Sequence, residues 1–122
     1  MLDRPEVQIV TINRSGVTLA TDLDEARGVW GGFKGLMFRK VLPRGHGLLF
    51  RPAQGVHTQF MRFPIDLVFF DENNVVTKIH PAMPPWRFDL TMARGVIELN
   101  AGAAQAAGLL AGDQLRFEPA AR

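Results

Sequence analysis

With 122 residues, 47% hydrophobic and 21% charged, the chain has the make-up of one ordinary globular domain, which excludes a disordered or fibrous protein. It has no cysteine, so disulfide staples, thiolate metal sites and a cysteine nucleophile are excluded together, and no apolar run nears the roughly 18 residues of a membrane-spanning helix. The net charge of +2 hides an uneven layout: residues 26–65 carry seven bases and no acid, which leaves the remainder at net −5.

The first six residues mix both charge signs and lead into alternating residues, with no secretory h-region, which points to a cytoplasmic protein. The β-branched run from Val7 to Ile12 reads as a strand. Asn13-Arg14-Ser15-Gly16 supplies a turn, and Val17-Thr18-Leu19-Ala20 returns, so a hairpin is expected. In Thr21-Asp22-Leu23-Asp24-Glu25-Ala26, capping-box spacings and crowded acids predict a helix from Leu23 that stops at Gly31-Gly32 or Gly35. Leu48-Leu49-Phe50 reads as a buried strand broken by Pro52 to Gly55. Thr58 to Phe63 alternates with period two before Pro64.

Ile65 to Phe70, the polar turn Asp71-Glu72-Asn73-Asn74 and Val75 to Ile79 predict a second hairpin. Pro81, Pro84 and Pro85 predict an irregular loop around Met83 and Trp86. Gly95 to Leu99 is a further strand. Ala101 to Ala107 favours one or two helical turns that end at Gly108, and Gln114 to Phe117 closes the pattern. The expected fold is a single α+β domain over residues 1–122, with its core in about 7–117. It is mainly antiparallel β, a half-closed barrel of about seven or eight short strands with one main helix and a short Ala-rich helical segment.

Three blocks of residues resemble a known family. Gly35-Leu36-Met37-Phe38-Arg39 with Gly47-Leu48-Leu49-Phe50 is similar to its first block. Met61-Arg62-Phe63-Pro64-Ile65-Asp66 with Phe69-Phe70-Asp71 is similar to its central one. Val96-Ile97-Glu98-Leu99-Asn100-Ala101-Gly102 with Gly112-Asp113 is similar to its last. The family is the prokaryotic domain of unknown function 192, and the resemblance spans about Leu19 to Phe117. It implies a compact β-rich fold and no established activity; many relatives are exported. Where many members carry tryptophan-methionine-lysine-asparagine, this chain has His57-Thr58-Gln59-Phe60, which places it in a histidine-threonine subgroup.

The densest polar grouping is His57, Thr58, Arg62 and Asp66, beside a proline that can re-aim side chains toward a cleft. Here Arg62 and His57 can meet an anionic or polar ligand, or Asp66 can simply accept backbone N–H bonds at the turn while His57 caps a strand end. Pro84-Pro85-Trp86-Arg87-Phe88 presents an aromatic beside a guanidinium on a rigid segment, suited to stacking or to closing a barrel end. Glu98 lies on another strand and can face Asp66. The ligand-binding candidates are therefore His57, Thr58, Arg62, Asp66, Trp86, Arg87 and Glu98.

No metal and no cofactor are expected, because His46, His57 and His80 follow no ligand spacing. The lone Ser15 sits in a turn with no nearby histidine. Gly31-Gly32-Phe33-Lys34-Gly35 fails the phosphate-loop pattern, and helix termination explains it better. The expected function is a ligand- or peptide-binding module with a polar cleft. Two alternatives stand beside it: an enzyme with a His57/Asp66 acid–base pair, and a barrel that contacts nucleic acid through the basic 26–65 stretch. The expected partner is a small molecule or peptide, with no membrane contact.

Overall fold

A computed structural model describes residues 7–26, 42–58 and 61–120. Nine strands and one short helix follow in chain order among them: β1 (Val7–Ile12), β2 (Thr18–Ala26), β3 (His46–Phe50), β4 (Ala53–His57), β5 (Ile65–Phe70), β6 (Val76–Met83), β7 (Phe88–Ala93), β8 (Gly95–Asn100), α1 (Ala103–Ala106) and β9 (Leu115–Pro119). Seven strands form one sheet in the order β6-β5-β8-β3-β2-β1-β9, and β4 pairs with β7 in a separate two-stranded ribbon. Among the described residues only β2 and β3 pair in parallel. The two ends of the large sheet meet, since Val75 bridges to Gln114 and Val76 N–H donates to Asp113 O at 2.7 Å. The sheet is thus a curled half-barrel.

Side-chain alternation gives the sheet two apolar faces. The inner face buries Val10, Ile12, Leu23, Leu49, Val68, Phe70, Ile97, Leu99 and Leu115 inside the barrel. The outer face of β3, β8 and β5 buries Leu48, Val96, Ile65, Leu67 and Phe69, with Ala53 and Val56 of the ribbon packed over it. That explains why β5 is buried at all six positions. A strand covered on both faces loses its alternation and reads as a continuous apolar run.

The barrel ends are closed differently. At one, the Arg51 guanidinium lies 5.9 and 5.3 Å from the ring centres of Phe70 and Phe117 and 3.2 Å from Glu25. At the other, α1 packs against β5 and β8. No helix among the described residues is long and apolar enough to cross a membrane.

The structure departs from several of these expectations. Residues 23–26 are strand, not helix: Asp22 to Ala26 pair in parallel with His46 to Phe50, and Leu23 is fully buried in the barrel. The acids that mimic a capped first turn sit on a strand, because long-range pairing outweighs a weak local preference. The rest of that predicted helix lies outside the described residues. The fold is accordingly mostly β, and the only helix among the described residues is the four-residue α1. Thr58 is not in a strand, nor are residues 61–63. Strand β6 runs through Pro81, which an edge strand tolerates at a bulge. Strands β4 and β7 lie where no strand was expected.

Candidate functional site

The structure divides the seven candidate residues: Thr58 is joined to Trp86 and Arg87 with His57 next to it in the chain, while Asp66, Glu98 and Arg62 lie apart from them. Thr58 is fully buried and holds the 84–87 loop: its Oγ1 donates to Pro84 O at 2.7 Å and accepts the Arg87 N–H at 2.8 Å. Its backbone N–H donates to Arg87 O at 2.9 Å and its carbonyl accepts the Trp86 N–H at 2.9 Å. These bonds fix Trp86 at φ 64°, a left-handed conformation that a bulky residue keeps only when its surroundings impose it. Trp86 is 53% exposed, and Arg87 is exposed beside it.

Asp66 is buried on the inner face and accepts three backbone N–H groups: Ala82 at 2.8 Å, Gly102 at 3.2 Å and Ala104 at 3.0 Å. Opposite it β6 carries one extra residue, since Ile65 pairs with Met83 but Leu67 with His80. The carboxylate therefore ties the bulge to the start of α1. His57 belongs to the ribbon, on the other side of the sheet, where it stacks tilted on Phe88 at 6.3 Å between ring centres. The sheet stands between the two, so the structure does not bring together the His57/Asp66 pair that the enzyme alternative requires. Arg62 is exposed in the bend before β5.

Glu98 faces outward from β8, between Leu48 and Leu67 on its neighbouring strands. It is 7% exposed, and burial among apolar side chains pushes its carboxyl up to about 8 from an ordinary 4.5. Desolvation favours the neutral acid, so Glu98 carries a proton at neutral pH. Asn100, on the same face, donates from Nδ2 to Leu42 O at 2.7 Å.

A polar cluster that the sequence reading missed joins β6 to β7. Asp89, 6% exposed, points from the ribbon toward the main sheet. Its Oδ2 lies 2.7 Å from His80 Nδ1 and 3.0 Å from Lys78 Nζ, and its Oδ1 accepts the Thr91 N–H at 2.9 Å. Burial alone raises the Asp89 carboxyl, yet the bonds from Thr91, His80 and Lys78 outweigh it and hold the group well below the usual carboxylate range. An ionised carboxylate only accepts, so His80 Nδ1 is the donor in this bond. Beside Lys78 and Thr91 opens a cleft of about 430 Å³, lined also by Asp71, Glu72, Thr77, Met92 and Arg94.

With Asp89 inward, strand alternation turns Phe88, Leu90 and Met92 outward. They are 60%, 79% and 74% exposed. Elsewhere among the described residues the exposed large apolar side chains, Val17 and Leu110, stand apart from this row.

Of the seven bases in the acid-free stretch, Arg27, Lys34, Arg39 and Lys40 lie outside the described residues. Arg51 is engaged with Glu25, and Arg44 and Arg62 are exposed. The predicted glycine-rich helix stop at residues 31–35 also lies outside. Among the described residues no group of three or more His, Asp or Glu side chains could hold a metal.

The profile of the DUF192 family, described as an uncharacterised ACR, matches residues 10–117. A UPF0127 protein of Pyrococcus furiosus is 35% identical over 94 residues, which cover 70% of this chain and 77% of that protein. Two crystal structures share the fold at 24% identity. One is a protein of Sinorhizobium meliloti 1021 described as a candidate transcription regulator, with TM-score 0.80 and coverage of 96% of this chain and 97% of that one. The other is a protein of unknown function from Novosphingobium aromaticivorans, with TM-score 0.75 and coverage of 90% and 83%. A half-barrel of this topology, matched by one family profile over nearly its whole length, belongs to the DUF192 family.

Proposed function

We infer that this protein is a binding module whose working surface is the outer face of the β4–β7 ribbon. The observation that carries this reading is the row Phe88, Leu90 and Met92, each at least 60% exposed on one side of a strand whose other side is anchored by Asp89. Water-exposed apolar side chains are unremarkable singly, but a contiguous row marks an interaction surface. The anchoring keeps the row in place before any partner arrives, so little ordering cost remains for binding. His57, packed on Phe88, and the Trp86–Arg87 corner held by Thr58 extend the same surface. In this reading Thr58 and Asp66 build the scaffold and do not touch the partner.

The test is a photo-crosslinking residue placed at Leu90 in cells, with the same residue at exposed Gln105 on α1 as the control. Adducts should form at position 90 and not at position 105. Equal yields at both positions would contradict the reading.

A second reading rests on the His80–Asp89 pair. A buried carboxylate that grips Nδ1 leaves Nε2 able to take a proton from water or a hydroxyl, the geometry of a general base. The test is turnover of nitrophenyl ester and phosphoester probes, followed against pH in the wild type and in His80→Gln. Hydrolysis that rises with imidazole deprotonation and disappears in the variant supports this reading; no turnover, or turnover unchanged by the variant, removes it.

A further inference from the structure

We propose that the ribbon's outer face docks on an anionic lipid surface, a peripheral membrane contact in which Phe88, Leu90 and Met92 enter the interface and Arg87 and Arg94 meet its headgroups. This rests on the binding-module reading above and names its partner.

Three observations favour lipid over other occupants. First, the side chains stand far out: Leu90 and Met92 are 79% and 74% exposed, although Met92 also edges the cleft beside Arg94. A groove for a small ligand or peptide encloses most of what it binds, and its lining side chains are correspondingly recessed. Second, the area is small. With Trp86 included, side chains of this size offer on the order of 500 Å² of exposed apolar surface, against roughly 800 Å² per partner in a stable protein–protein interface. A bilayer sets no such threshold, because protruding apolar side chains can sink about 5–10 Å into the boundary between headgroups and acyl chains.

Third, the charges are placed for it. Arg87 and Arg94, both exposed, stand immediately before and after β7, about 23 Å apart along an extended chain. The one acid of that strand, Asp89, faces inward and is bound by Lys78 and His80. Along the chain the apolar row is therefore bracketed by two exposed cations. Asp71 and Glu72 line the cleft beside Met92 and Arg94 and weaken the positive field at that end. The attraction should accordingly depend more on Arg87 than on Arg94. Trp86, half-exposed next to Arg87, is the residue type that settles at headgroup level.

The experiment is co-sedimentation of the full chain with phosphatidylcholine vesicles, with and without phosphatidylglycerol. Binding should be several-fold stronger to the phosphatidylglycerol vesicles and should fall as salt rises. Leu90→Ser/Met92→Ser should weaken it by about tenfold or more, since it removes the two most exposed insertions. Arg87→Gln should weaken it several-fold, and Arg94→Gln less. Tryptophan emission should shift to the blue on binding, and Trp86→Phe should remove most of that shift.

Because these positions face outward, each variant should keep the wild-type circular dichroism and melting curve, which separates lost binding from lost folding. No binding to phosphatidylglycerol vesicles, or binding that Leu90→Ser/Met92→Ser leaves intact, overturns the proposal. So does concentration-dependent self-association that the same double variant abolishes, which would make the occupant a second copy. If vesicles fail while the crosslinker at position 90 captures protein, the lipid assignment falls and the binding-module reading stands. If position 90 captures nothing beyond the control, both fall.

Discussion

The two faces of the main sheet treat their acids in opposite ways. On the inner face, Asp66 sits where three backbone N–H groups converge, so its burial is compensated and it fixes the bulge of β6 against α1. On the outer face, Glu98 is buried among Leu48 and Leu67 with desolvation as the cause of its raised pKa. A few ångströms of sheet thus separate a carboxylate that organises the fold from a carboxylic acid that burdens it. The ribbon adds the mirror case: Asp89 anchors it inward while its apolar residues face water. The inner face behaves as a finished core. The outer side carries what a stability-only design would remove, which is why the functional surface is sought there.

The largest effect should come from Asp66→Ala. It removes the acceptor of three backbone N–H groups at once, that of Ala104 buried and the other two part-buried, a loss of about 3–5 kcal/mol by urea denaturation, enough to threaten folding of a marginally stable domain. A loss below about 1 kcal/mol would show that the inner-face carboxylate does not organise the bulge.

Glu98→Gln should act in the opposite sense. A carboxyl whose pKa rises from 4.5 to about 8 on folding keeps a proton in the native state that the unfolded chain has released. Its contribution is fully present below about pH 4.5, declines as pH rises and is lost by about pH 8. Removing the titration should raise stability at pH 8 by a few kcal/mol, at about 1.4 kcal/mol per unit, and leave stability near pH 4 little changed. Equal stabilisation at both pH values would show that packing, not ionisation, is the cause.

Asp89→Asn keeps the shape and removes the charge that Lys78 and His80 share. It should cost about 1–3 kcal/mol at neutral pH. Because the native Asp89 pKa is depressed, its contribution is present above the unfolded value near 3.8 and is lost as pH falls below it, so wild type and variant should converge in acid. Hydrogen exchange should show the loss concentrated in the ribbon.

The smallest effect belongs to Leu90→Ser/Met92→Ser, within about 0.5 kcal/mol by denaturation, because neither side chain packs against the core. A large destabilisation there would mean that the outer face is structural and not a docking surface.

Much of the barrel is legible in the sequence. Both predicted hairpins form, because Asn-Arg-Ser-Gly and Asp-Glu-Asn-Asn turns separate β-branched or apolar runs. The Ala-rich turn forms and ends at Gly108, whose φ of 72° suits glycine. The helix begun at Leu23 fails because a parallel partner 24 positions away, Leu23 opposite Gly47, cannot be read from capping signals. Strand β7 was readable in principle: Phe88 to Ala93 alternates apolar and polar with period two. The prolines before it disguise the signal, and its sense is inverted, with Asp89 inward and Phe88, Leu90 and Met92 outward. The convergence of Asp89 with Lys78 and His80 depends on folding the ribbon over β6, so no spacing could announce it. Burial of Glu98 likewise needs the second layer that β4 and β7 provide.

The most direct measurement uses the absence of native cysteine. A single thiol at Leu90→Cys and another at Gln105→Cys are labelled with maleimide, in purified protein and in intact cells. Relative to the position 105 control, the thiol at position 90 should react at the rate of an exposed group in the purified chain and several-fold more slowly in cells, where its partner covers the ribbon. Unchanged relative rates in the two settings would contradict the central claim that this face is occupied when the protein works.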